Sequence, residues 1–119
     1  MDAYIDKPWG YERLWACTDS YAGKILYIRG GEMLSLQYHE RKAESILVLL
    51  GTLELTIGDK THLVLRGEAY DIPPKTVHRM RGVTNCEVVE VSTPELGDVV
   101  RLDDIYGRQT ENENSVGKW

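Results

Sequence analysis

From Lys24 to about Leu102 the apolar positions fall in short runs rich in Val, Ile, Leu, Tyr and Thr. Glycine, aspartate or proline breaks them at intervals of about ten residues, the rhythm of strands joined by turns. The runs KILYIR, MLSLQYH, ESILVLL, TLELTI, THLVLR, EAYDI, TVHRM, CEVVEVS and DVVRL are the expected strands, and helical periodicity is weak throughout. Ser45 to Leu50 is apolar on both alternating faces, which predicts a strand covered on two sides, inside a sandwich or at a subunit contact. A homodimer is expected on that ground. Residues 1–23 carry Trp9, Trp15 and several tyrosines, and this segment is expected to pack across a sheet of the barrel formed by residues 24–108. The ending, residues 109–119, is polar and glycine-containing and is expected to form a flexible tail.

A chain of 119 residues, 42% of them hydrophobic, suffices for one core and is too short for two. The expectation is therefore a single all-β domain. The net charge of -5 provides no broad basic surface, so nucleic acid is not an expected partner. Cys17 and Cys86 have neither metal-knuckle nor redox-pair spacing, and two thiols make no disulfide scaffold. A reducing cytoplasm fits them, and Cys86 reads as an inert buried thiol. No stretch approaches the roughly 20 apolar residues of a spanning helix. No membrane association and no N-terminal processing are expected.

Candidate chemistry concentrates in GEMLSLQYHERKAESILVLLG, residues 31 to 51. Gln37 and His39 are two apart, so on an extended strand their side chains leave the same face. Glu44 arrives from the start of the next strand, and His78 follows the turn at Pro73-Pro74 on a later strand that a closed barrel can bring alongside. Two imidazoles, a carboxylate and an amide make a mixed nitrogen and oxygen set. Such a set suits zinc, manganese, nickel, cobalt or ferrous iron better than calcium or magnesium.

These spacings resemble the two motifs of the cupin superfamily. The first is matched by Gly31, Gln37, His39, Glu44 and Gly51 with every interval kept; the second is matched by Gly67, Pro73 and His78. Departures are Gln37 where histidine is commonest, Lys75 where glycine is usual, and Gly82 where asparagine is usual. The entry KPWGYE, the runs LSLQYH and RKAES, the turn DIPPKTVHR and the ending VVRLDDIYGR further resemble the type II mannose-6-phosphate isomerases, whose cupin domain is fused to mannose-1-phosphate guanylyltransferases. That resemblance spans roughly residues 7 to 108. It implies a jelly-roll, double-stranded β-helix fold and a single divalent metal held by Gln37, His39, Glu44 and His78. The implied reaction is the interconversion of an aldose and a ketose phosphate through an enediol. Where the family's run is rich in further histidines, this chain has Glu40, Arg41 and Ser45.

The isomerase reading also needs a proton carrier and an anion contact. Arg41 shares strand parity with Gln37 and His39 and is the first candidate for the anion, followed by Arg79, Lys42 and Lys24. Glu40 and Glu54 are possible carboxylates, and the general base is left unassigned. His62 sits in an expected hairpin away from the ligand strands and is not assigned. Trp9 and Trp15 read as packing residues rather than sugar-stacking ones. Two other readings share the metal site: a metal-dependent cupin dioxygenase, and a non-catalytic sugar-binding or regulatory cupin.

Overall fold

The computed structural model describes residues 2–108; the tail expected at 109–119 lies outside them. Eleven strands form in chain order: β1 (Ala3–Lys7), β2 (Gly10–Cys17), β3 (Ala22–Ile28), β4 (Leu36–Tyr38), β5 (Glu44–Leu50), β6 (Leu53–Ile57), β7 (Lys60–Val64), β8 (Ala69–Ile72), β9 (His78–Gly82), β10 (Cys86–Ser92) and β11 (Val100–Asp103). They pair into a six-stranded sheet, β1-β2-β3-β10-β5-β8, and a five-stranded sheet, β11-β4-β9-β6-β7. Every pairing is antiparallel. The result is the jelly-roll barrel of a cupin, a single domain. Among the described residues no helix is long and apolar enough to cross a membrane.

Alternation along each strand decides what faces the interior. On β10, Cys86, Val88, Glu90 and Ser92 point inward; on β3, Ala22, Lys24, Leu26 and Ile28 do so. At one end of the barrel these positions are apolar, and Leu26, Ile28, Val48, Leu53, Leu55, Val64 and Val88 close a dry core there. Toward the other end the same faces turn polar, burying Glu12, Lys24, Glu44, His78 and Glu90. The strands therefore deliver a packed base and a buried polar chamber from one continuous alternation. Gly51 makes the β5–β6 turn at φ 79°, where an added Cβ would lie 2.2 Å from the Asn85 carbonyl oxygen, so no other residue fits without moving the backbone.

Two elements differ from expectation. Residues 3–17 do not lie across a sheet: they form the hairpin β1–β2, hydrogen-bonded edge-on to β3, with Trp9 buried in the core. Trp15 is 41% exposed, with its indole over Gly23, where a Cβ would meet it at 2.5 Å. The run MLSLQYH supplies only the three residues of β4 plus a single bridge from Met33 to Arg81. Leu34 and Ser35 are both buried although adjacent, which breaks the period of two that a strand requires.

Candidate metal centre

Three of the expected donors converge in the polar chamber. His39 follows β4, Glu44 opens β5 and His78 opens β9, and one ligand atom from each lies within 4.8 Å of the others. The His39 and His78 rings stand 5.2 Å apart. Gln37 lies directly opposite His78 in the β4–β9 register and therefore on the same face. It lines the same chamber, its Oε1 accepting a hydrogen bond of 2.6 Å from Ser35 Oγ.

Backbone carbonyls fix both imidazoles. His39 Nδ1 lies 2.5 Å from the Asp98 carbonyl oxygen, and His78 Nδ1 lies 2.8 Å from that of Thr76. A carbonyl only accepts, so each Nδ1 carries the proton, and each Nε2 is left to face the chamber. There Nε2 of His78 is 3.1 Å and Nε2 of His39 is 3.6 Å from the same oxygen, Glu44 Oε1. All three atoms are buried and make no hydrogen bond. Two imidazole lone pairs aimed at one carboxylate oxygen repel unless a cation lies among them. The donor set fits a divalent transition metal, with the carbonyls orienting the imidazoles as such sites require.

The loop between His39 and Glu44 is held from a distant part of the chain. The Asp98 carboxylate accepts from the backbone N–H groups of Glu40, Arg41 and Lys42, at 3.2, 2.7 and 3.0 Å, and the Thr93 hydroxyl accepts from that of Ala43. Although burial opposes it, the three backbone donors hold the Asp98 carboxyl below its usual range. Its side chain and carbonyl together position both the loop and His39, a role with no local sequence signal. Lys75, in the turn before β9, stands at φ 63°, a conformation glycine favours, and its N–H donates to the His39 carbonyl at 2.6 Å.

A buried charge cluster backs the centre. Lys42 Nζ lies 3.3 Å from Glu44 Oε2 and 3.1 Å from Glu90 Oε2, while Lys24 Nζ lies 3.3 Å from Glu12 Oε2. Burial works against the Lys42 ammonium, but Glu90 and Glu44 outweigh it and lift its pKa above the ordinary value. For Glu44, burial favours the neutral acid, yet Lys42 and the two imidazoles hold the carboxyl well below its usual range. Burial, followed by the Glu44 charge, raises the Glu90 carboxyl. Lys42 occupies Oε2 of Glu44 and leaves Oε1 to the two imidazoles.

The remaining candidates separate cleanly. Lys42 and Lys24 line the chamber, together with Lys7, Arg101 and Arg108, which the sequence reading did not single out. Arg41, the first candidate for an anion contact, is exposed and does not line it: β4 ends at Tyr38, so the parity with Gln37 stops before residue 41. Arg79 neighbours His78 on β9 and so faces the other way. Its guanidinium donates to the Leu34 carbonyl at 3.0 Å and to the Asp103 carbonyl at 2.9 Å. Of the possible carboxylates, Glu40 is exposed and Glu54 pairs with Arg81 at 3.7 Å outside the barrel. In their place the chamber holds Glu12 and Glu90. Glu90 had a legible signal, since it shares parity with Cys86 and Val88. His62 lies away from the centre, its ring against Tyr70. Cys17 is exposed and Cys86 buried, both free thiols, and burial pushes the Cys86 thiol up to about 11.

The chamber itself measures about 50 Å³, room for an ion and a few waters.

Residues 1–107 match the family described as mannose-6-phosphate isomerase C-terminal. The alginate biosynthesis protein AlgA of Pseudomonas aeruginosa is 36% identical over 112 residues, covering 90% of this chain and 23% of that protein. The mannose-1-phosphate guanylyltransferase RfbM of Salmonella typhimurium is 33% identical, covering 93% and 25%. The chain thus spans about a quarter of the length of these curated relatives. An RmlC-like cupin from Desulfovibrio desulfuricans superposes with a TM-score of 0.64 at 22% identity, over 76% of this chain and 82% of that one.

Proposed function

The chain belongs to the mannose-6-phosphate isomerase C-terminal family, and from that premise we propose that it is a metal-dependent sugar-phosphate isomerase of the mannose-6-phosphate type. The observation that carries this reading is the trio of buried atoms, His39 Nε2, His78 Nε2 and Glu44 Oε1, left without hydrogen bonds around one point. His39, Glu44 and His78, with Gln37 beside them, are the residues that would hold the ion. The names of AlgA and RfbM support a place in carbohydrate precursor metabolism, and the proposed compartment is the cytoplasm. Bound there, a divalent ion supplies a Lewis acid for the sugar's carbonyl and hydroxyl oxygens.

The chain's own residues do the rest. Lys42 fixes the Glu44 carboxylate through one oxygen, so its other oxygen is preorganised. Of the three carboxylates lining the chamber, Glu44 belongs to the centre, Glu12 pairs with Lys24 and Glu90 with Lys42. The proposed proton carrier is Glu90, whose carboxyl burial and the neighbouring Glu44 charge raise above its ordinary value; its role is to take the C2 proton and return it to C1, while the O2 hydroxyl proton passes to O1. Glu90 is buried, which limits the access of bulk water to that proton.

A coupled assay for conversion of mannose 6-phosphate to fructose 6-phosphate tests the reading. Turnover is expected, lost on chelation and restored by metal. Glu90→Gln is expected to keep its metal and lose at least about 100-fold in kcat, the usual contribution of a positioned acid or base. Metal without turnover in the parent chain contradicts the isomerase and leaves a binding or oxygenase cupin.

A further inference from the structure

We infer that Ser35 is a positioning residue of the metal centre: its buried hydroxyl fixes the side-chain amide of Gln37 so that the amide oxygen serves as the fourth donor. The inference rests on the metal centre proposed above and not on the isomerase reaction. Its origin is the break in alternation before β4. Leu34 and Ser35 are adjacent yet both buried, so the chain turns a small polar side chain into the wall of the barrel, at 0% exposure. Main-chain bonds hold the break in place. The Leu34 N–H donates to the Met80 carbonyl at 2.9 Å, and the Leu34 carbonyl accepts from the Arg79 guanidinium at 3.0 Å. Ser35 lies outside the lining of the chamber, whereas Gln37, two residues on, forms part of it. A hydroxyl in the wall therefore meets an amide that faces the chamber.

The distance identifies which end of the amide is held. At 2.6 Å the contact is short for an N–H donor, which prefers about 2.9 Å, and falls in the O–H···O range. Ser35 Oγ therefore donates to Gln37 Oε1. A carbonyl oxygen has two lone pairs, and this bond takes one of them. Gln37 stands opposite His78 in register and shares its face, so an ion bound there can take the other. The remaining donors show why such a hold is needed. The carbonyls of Asp98 and Thr76 fix His39 and His78, and Lys42 fixes Glu44. Gln37 is rich in rotamers and carries no charge, so ordering it at the moment of binding would cancel much of what a neutral oxygen contributes. With Ser35 in place every donor has its own orienting partner, and the amide is ordered before the ion arrives.

Competition between the metal-loaded full chain and a chelator tests this. Ser35→Ala is expected to weaken metal affinity about tenfold, the lower end of what loss of an orienting partner costs. Gln37→Met is expected to lose at least as much. Adding Ser35→Ala to Gln37→Met is expected to cost nothing further, because the hydroxyl acts only through the amide. With cobalt(II) as the probe ion, the visible bands of Ser35→Ala are expected to move toward those of Gln37→Met, a change that a general loss of stability does not produce. If Ser35→Ala fails to fold, Ser35→Thr and Ser35→Val make the comparison at equal size, and the first, which keeps the hydroxyl, is expected to bind metal more tightly. Affinity unchanged by Ser35→Ala, or an equal loss in the Gln37→Met background, overturns the positioning role. No metal in the parent overturns the centre and the inference with it. Metal affinity that responds to Ser35 in a chain without turnover supports the inference and sinks the isomerase.

Discussion

At the scale of single residues, the centre depends on groups that hold the donors as much as on the donors. Lys42 touches Glu44 and Glu90 together, buried among them. Lys42→Met leaves two buried carboxylates without their counter-ion, and removal of one partner from such a cluster costs about 3–5 kcal/mol. The expected result is that loss in chemical denaturation and a 10- to 100-fold weaker metal affinity in competition with a chelator. Unchanged metal affinity in a folded Lys42→Met variant contradicts the positioning role. Legibility at this scale was uneven. Gln37, His39, Glu44 and His78 could be grouped because strand parity and motif spacing both act over short distances in sequence. Asp98 could not, because its bonds to the loop after His39 span 56 to 59 residues and exist only once the barrel closes. Arg41 does not line the chamber, because parity extrapolates only as far as the strand runs and β4 ends at Tyr38.

Among the elements, the interior strands β3, β5 and β10 follow the alternation that the sequence displays, while the edge of the sheet does not. The β1–β2 hairpin was hidden because its aromatics suggested a covering segment, whereas half of them lie on faces that a paired strand presents to solvent, as Tyr4 does at 64% exposure. The segment after β11 sets the rim of the chamber. There Asp104 accepts from the Arg108 backbone N–H at 2.7 Å and from its guanidinium at 3.0 Å, which holds Arg108 beside the opening. Burial works to raise the Asp104 carboxyl, but Arg108 outweighs it and lowers the pKa from the ordinary value. A lowered folded-state pKa contributes stability above the unfolded-state pKa, about 3.9, and that contribution is lost as pH falls through the folded-state value. Asp104→Asn is therefore expected to cost about 1 kcal/mol at pH 7. The difference from the parent should shrink below about pH 4. A pH-independent difference in thermal or denaturant unfolding contradicts the ion pair's role.

For the whole molecule, the two sheets place a dry core at one end and a charged centre at the other, so stability and chemistry are spatially separated. The outer face of the six-stranded sheet carries Ile25, Val89 and Leu47 opposite one another in register, with Val91 47% exposed beside them. A second copy of the chain covering that row is the expected assembly, and sedimentation should give twice the chain mass of 13.6 kDa. Leu47→Asp should shift it to the monomer, and a monomeric parent at micromolar concentration contradicts the assembly. The central claim is the metal centre itself, and elemental analysis of untagged protein tests it most directly. About one transition-metal ion per chain is expected in the parent and in His62→Ala, and essentially none in Glu44→Ala or His78→Ala. Full occupancy in either of the last two, or no metal in the parent under any loading condition, contradicts it.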